Sequence, residues 1–365
     1  MKRTEQYAHG GQIHKLARQM GIEPSDFTDF SSSINPLGPP AGVLRALSNA
    51  KKIVGPYPDS ANYDLKRALA TRENLAADYF LAGNGSTELI FLIPRVFRPK
   101  TTLVVGPTFG EYERAARLAG SHIVHASLDI NGSWQLPQYE ARKIGGADLC
   151  FICNPNNPSG TILAKETIRN LAQAFGQTLF VVDEAFVDFL PRPAYVSVAD
   201  LCDSHRNIIV LRSFTKFYAT AGLRLGYAIA HPERIRMLES NKEPWSVNAL
   251  AQAAGQCVLE DNLFEIRTRQ WLPAARSHVA AELKKTRVFS PVESQANFLL
   301  IKSLAKDISA GLLFRRLLAK RIVLRDASNF YGLDNSYFRV AIKSGAENEM
   351  LLAALSETLV LPTCP

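Results

Sequence analysis

From about residue 80 to past residue 230, short apolar runs alternate with stretches of helical spacing. TTLVVGP, DLCFICNP, TLFVVDEAF, NIIVLRS and GYAIA are rich in Val, Ile, Leu and Phe and end at turn or polar residues, as buried strands do. Between them, FGEYERAARLAG and AKETIRNLAQAFG carry apolar residues at helical spacing and end in Gly, which predicts helices. Such alternation predicts an α/β fold with a mostly parallel sheet covered on both faces. Past about residue 250 the pattern changes to long helices, LAQAAGQCVLEDN and the segment from Trp271 to Lys285, and then to short strands, NFLLIKS and YFRVAIK. The expected division is a large domain over 41–245 and a smaller α+β domain made of 1–40 and 246–365. There are no internal repeats and no low-complexity segments.

Composition narrows the ligand. The 365 residues, 47% of them hydrophobic, can bury a large core plus a second, smaller one. The net charge of +8 calls for anions. The Lys and Arg residues are dispersed and form no tract, which favours small anionic molecules over nucleic acid. Cys150 and Cys153 form a CxxC inside an expected strand, with no second pair at zinc spacing, so they read as ordinary thiols and no metal is expected. No apolar stretch is long enough to span a membrane, and MKRTEQYAHGG lacks a signal-peptide core, so the expected compartment is the cytoplasm.

Ligands of such sheets bind at the carboxyl ends of the strands. There SFTKFYATAGLRLG sets Lys216 among small and apolar residues. Lys216 either points to solvent or is desolvated on purpose, because burial makes an amine a better nucleophile. Asp183, closing LFVVD, would alone be a helix cap or turn residue; beside Lys216 it is a carboxylate able to keep a pyridine nitrogen protonated, as a pyridoxal ring requires. Asn157 in NPNNPSG belongs either to a plain turn or to a donor for the ring 3-oxygen. In LAGNGSTELIFLI, Gly83, Gly85 and Ser86 stand where a helix begins and offer N–H groups to a phosphate, to which Ser213 and Arg224 can add a hydroxyl and a guanidinium. Phe109 in GPTFGEYERA is either core or a stacking face for a flat heterocycle.

Asn157, Asp183, Lys216 and Arg224 in this order, within GNGSTE, PTFGEY, NPNNPSG, VVDEAF and SFTKFYATAGLRLG, resemble the fold-type-I enzymes that use pyridoxal 5'-phosphate (PLP), over nearly the whole chain. The set is most similar to the branch that holds histidinol-phosphate aminotransferases and the L-threonine-O-3-phosphate decarboxylases of cobamide synthesis. AHGGQIHKLARQMG, DFSSSINPLG, PWSVNALAQAA and LRDASNFYGLDNSYFRVAIKS resemble the decarboxylases. Phe186 stands where the aminotransferases carry a tyrosine on the ring 3-oxygen. Ser33 departs from the decarboxylase pattern, which has Asn there, so O-phosphoserine or a related phosphonate stays open as substrate.

The resemblance implies a covalent anchor at Lys216, a ring partner at Asp183, and cofactor contacts from Gly85, Ser86, Phe109, Asn157, Ser213 and Arg224. Tyr57 in GPYPD would reach the cofactor phosphate of a neighbouring subunit, giving a homodimer with shared active sites. The substrate would meet His9, Gly10, Asn35, Asn157, Arg325 and Arg339. The implied reaction is decarboxylation of L-threonine O-3-phosphate to (R)-1-amino-2-propanol O-phosphate, the linker of the cobamide nucleotide loop. The alternative is an aminotransferase acting on histidinol phosphate or an aromatic amino acid. A regulatory protein on this fold would need a DNA-binding domain, and a nicotinamide dehydrogenase would need a GxGxxG after its first strand; neither feature is present in the sequence.

Overall fold

A computed structural model of the chain describes residues 9–360. Its strands are β1 Thr28–Asp29, β2 Phe80–Asn84, β3 Thr101–Gly106, β4 His122–Ser127, β5 Leu149–Cys153, β6 Leu179–Asp183, β7 Ile208–Ser213, β8 Leu225–Ala230, β9 Phe289–Pro291, β10 Phe298–Ser303, β11 Ile322–Val323, β12 Arg325–Asp326 and β13 Tyr337–Ala341. Seven of them form one sheet in the order β2-β8-β7-β6-β5-β3-β4. Only β8 runs against its neighbours in this sheet. A four-stranded antiparallel sheet, β12-β13-β10-β9, lies later in the chain.

Alternation along each central strand shows why the runs are apolar throughout. Val105, Ile152, Val182 and Val210 belong to one buried cluster, and Val104, Phe151, Val181 and Ile209 to another, so each strand feeds two cores. The first cluster continues into Phe289, Phe298, Leu299 and Phe338 of the smaller sheet.

Two strands of the seven-stranded sheet escape the apolar-run criterion. The edge strand β4 buries only Ala126 fully and carries two histidines, and β2 ends in Gly83 and Asn84, which read as a turn. The long helix also begins earlier than Trp271: it spans Asn262–Lys285, with Asp261 accepting from the Phe264 N–H at its start and Pro273 inside it. The N-terminal segment joins the later part of the chain, β1 pairing in parallel with β11 and Phe30 accepting from the Ala341 N–H. Cys150 and Cys153 are buried thiols on β5, while Cys364 lies outside the described residues. No helix among the described residues is long and apolar enough to cross a membrane.

Candidate active site

The parallel strands deliver their last residues to one edge of the large sheet, and the residues there line a cavity of about 530 Å³. Thr108 and Phe109 follow β3, Asn157 follows β5, Asp183 closes β6, Ser213 closes β7, and Lys216 sits in the helical turn Phe214–Phe217. Because β8 runs the opposite way, Arg224 just before it reaches the same edge. Ser86 comes from the start of the helix Gly85–Phe97. His9, Gly10 and Ser33 approach from the N-terminal segment, and Arg325 and Arg339 from the four-stranded sheet.

Lys216 is only partly exposed. Burial, followed by the charges of Arg339 and Arg224, pulls its amine down to about 8. Asp183 is buried; burial pushes its carboxyl up, against the Tyr112 hydroxyl, which donates at 2.7 Å, and the Ala185 N–H at 3.0 Å. Tyr112 escaped sequence reading, although it lies three residues past Phe109 and so shares its side of the turn. Asn157 accepts from Arg339 through Oδ1, which leaves its NH2 as the group free to donate. Phe186 brings no hydroxyl; its ring meets Phe298 edge-on at 5.0 Å.

Gly85 backs the cavity and does not line it. Its φ is +71°, and a Cβ there would stand 2.5 Å from the Arg224 guanidinium, so only glycine lets that cation settle on the helix start. Asn35 also lies outside the lining. Its amide donates to the Phe217 carbonyl and Thr268 Oγ1, and its N–H to the Lys216 carbonyl, so its place is beneath the lysine turn. Tyr57 is 82% exposed and packs on Trp245, away from the cavity of its own chain.

Six buried side-chain atoms among the described residues find no partner, and four of them, on Ser33, Thr108, His125 and Arg339, belong to the lining. Orphans of this kind mark a site shaped for a polar ligand. Among the described residues Arg339 donates only to Asn157 Oδ1 and the Ser31 carbonyl, both neutral. Burial and the nearby Arg325 pull it down to about 9; burial pulls Arg325 to about 10. Both remain cations at neutral pH.

Behind the cavity wall lies a second charged cluster. Arg212 donates to Glu184 Oε2 at 2.8 Å and Ser197 Oγ at 2.9 Å, with Asp188 and Glu73 at 3.5 and 3.8 Å. Arg72 pairs with Glu265, which also accepts from the Tyr218 hydroxyl. Glu184 follows Asp183, Arg212 precedes Ser213 and Tyr218 stands two residues past Lys216, so the cluster braces three site residues from behind.

The model of the family described as aminotransferase class I and II matches residues 25–356. The chain belongs to this family. It is 38% identical to the threonine-phosphate decarboxylase of Salmonella typhimurium, over 96% of each chain. It is 33% identical to the histidinol-phosphate aminotransferase of Moorella thermoacetica, over 97% of this chain and 90% of that one. The crystal structure of the L-threonine-O-3-phosphate decarboxylase from Porphyromonas gingivalis superposes with a TM-score of 0.82 at 27% identity, over 91% of this chain and 99% of that one. The fold is the fold-type-I architecture that the motifs led us to expect.

Proposed function

We propose that this chain is a PLP-dependent decarboxylase that converts L-threonine O-3-phosphate to CO2 and (R)-1-amino-2-propanol O-phosphate for cobamide synthesis. In this reading it acts as a cytoplasmic homodimer, with residues 41–245 as the large domain and 1–40 plus 246–365 as the small one. The observation that carries it is the joint presence, in one cavity, of the low-affinity amine of Lys216 and two buried cations, Arg325 and Arg339, on the far side from Arg224 in sequence. A substrate with both a carboxylate and a phosphate matches two such cations. The 38% identity to a threonine-phosphate decarboxylase supports the same choice.

The residues fit PLP. Lys216 would hold it covalently, Asp183 would face its ring nitrogen, Asn157 its 3-oxygen and Phe109 its ring face, while Ser86, Ser213 and Arg224 would take its phosphate. When bound, PLP supplies a sink for the electron pair of the bond broken at Cα. Arg325 and Arg339 orient the substrate anions so that the Cα–carboxylate bond is the one aligned for cleavage. Lys216 Nζ would then deliver to Cα the proton that takes the place of the departed CO2. Phe186 has no hydroxyl to offer, so Asn157 would be the donor to the ring 3-oxygen. The exposure of Tyr57 suits a residue that serves the partner subunit's site.

The test is to incubate holoenzyme with L-threonine O-3-phosphate and no keto acid, following CO2 and the amine by mass spectrometry. Many turnovers, abolished in Lys216→Ala, are expected. Amino transfer to 2-oxoglutarate from histidinol phosphate, with no CO2 released, would establish the aminotransferase instead; turnover of O-phosphoserine alone would change the substrate.

A further inference from the structure

We propose that Glu111 is a positioning residue for the anionic group of the substrate and acts through His9; this rests on the function proposed above. His9 lines the cavity together with Arg325 and Arg339. Its Nε2 lies 2.7 Å from Glu111 Oε1, and Arg114 donates to the other carboxylate oxygen at 3.0 Å. Glu111 itself is 4% exposed. A carboxylate buried that deeply is costly unless its oxygens are met. Burial works against its charge, but His9 and Arg114 together hold it below the usual carboxylate range. Its place in the first turn of the helix Glu111–Leu118 favours the negative form as well.

An ionised carboxylate has no proton to give, so Nε2 is the ring nitrogen that carries one, and Nδ1 is the ring's remaining polar atom. The imidazole has one further ring neighbour, and the backbone after it is anchored. Its ring tilts onto Phe109 with centroids 5.2 Å apart, and the following backbone is pressed against the serine segment. A Cβ on Gly10 would stand 2.1 Å from the Ser31 carbonyl oxygen, and the Gly11 N–H donates to Ser31 Oγ at 2.8 Å. The result is an imidazole backed by a buried anion, in the wall of a cavity already lined by two buried arginines. With Nε2 committed to Glu111, Nδ1 is the ring atom left to meet a phosphorylated amino acid, beside the two arginines. Arg114, with its side chain about half exposed, satisfies only one oxygen; the other is committed to the cavity wall 102 residues away in sequence.

The variants are Glu111→Gln, which keeps an acceptor but removes the charge, His9→Ala, and the two combined, all as holoenzymes. Glu111→Gln is expected to raise KM for L-threonine O-3-phosphate about tenfold with kcat within about twofold, and to add nothing once His9 is gone. An undiminished Glu111→Gln effect in the His9→Ala background would overturn the proposal, because a merely structural glutamate acts independently of His9. Calorimetric binding of O-phosphoethanolamine to holoenzyme separates this inference from the reaction assigned above. Weaker binding by Glu111→Gln than by wild type supports it even if no CO2 is released from threonine phosphate. Equal affinities, or no binding by either protein, sink it.

Discussion

Two pairs of arginines, Arg72 half-buried and the other three buried, make opposite use of the same chemistry. Arg72 and Arg212 sit behind the site among Glu73, Glu184, Asp188 and Glu265. For both, burial alone would weaken the hold on the proton, yet the surrounding anionic groups reverse this and raise it above the ordinary value. Arg325 and Arg339 face the cavity, and burial leaves both lowered. The first pair is neutralised by the protein; in the second, Arg339 donates to neutral oxygens and is arranged for an anion that arrives from outside. Stability should therefore depend on the first pair and substrate affinity on the second.

The largest effect is expected at Arg212. Arg212→Met leaves Glu184 and Asp188 buried beside an apolar chain, and chemical denaturation should show a loss of about 3–5 kcal/mol. Arg339→Met should reverse that profile: kcat/KM for the phosphorylated substrate falls about a hundredfold while stability stays within about 1 kcal/mol of wild type. Comparable stability losses in both variants would erase the distinction between the pairs.

The amine of Lys216 sharpens the comparison at lower amplitude. In the folded apo-protein it titrates at about 8, against 10.5 for the ordinary amine. Between these values the unfolded chain holds the extra proton, so this group makes the folded state more stable as pH rises. Below about 8 the cost of burying the charged amine is present in full. The difference in denaturation midpoint between wild type and Lys216→Met, followed from about pH 7 to 10, should narrow with rising pH; a flat difference contradicts the assignment. Removing the neighbouring cation in Arg339→Met should also move selective labelling of Lys216 to higher pH.

The contrast also explains what could be read from the sequence. The central strands were legible because they are buried on both faces, and the cofactor-type residues because they close those strands, as Asp183 and Ser213 do. β4 was hidden by its exposed edge, and β2 by glycine and asparagine. The brace formed by Arg72, Glu184, Arg212 and Glu265 has no spacing to betray it, since its members meet only through tertiary packing. Glu111 was hidden in the same way, as a helix-start glutamate whose partner lies at the other end of a long loop of chain. Asn35 is a different case: motif position points to the substrate, and in the structure its amide is tied to the lysine turn and the long helix.

That tie has a consequence for how the protein is made. Asn35 leaves the ribosome early, yet its amide waits for Phe217 and then for Thr268, just as β1 waits for Ile322 and Val323. During synthesis Lys216 therefore emerges into an unfinished pocket, and its surroundings close only when nearly the whole chain has been released. The finished pocket belongs to the longer polypeptide, and a nascent chain stalled before residue 268 would lack Thr268 beneath the lysine turn and both cavity arginines.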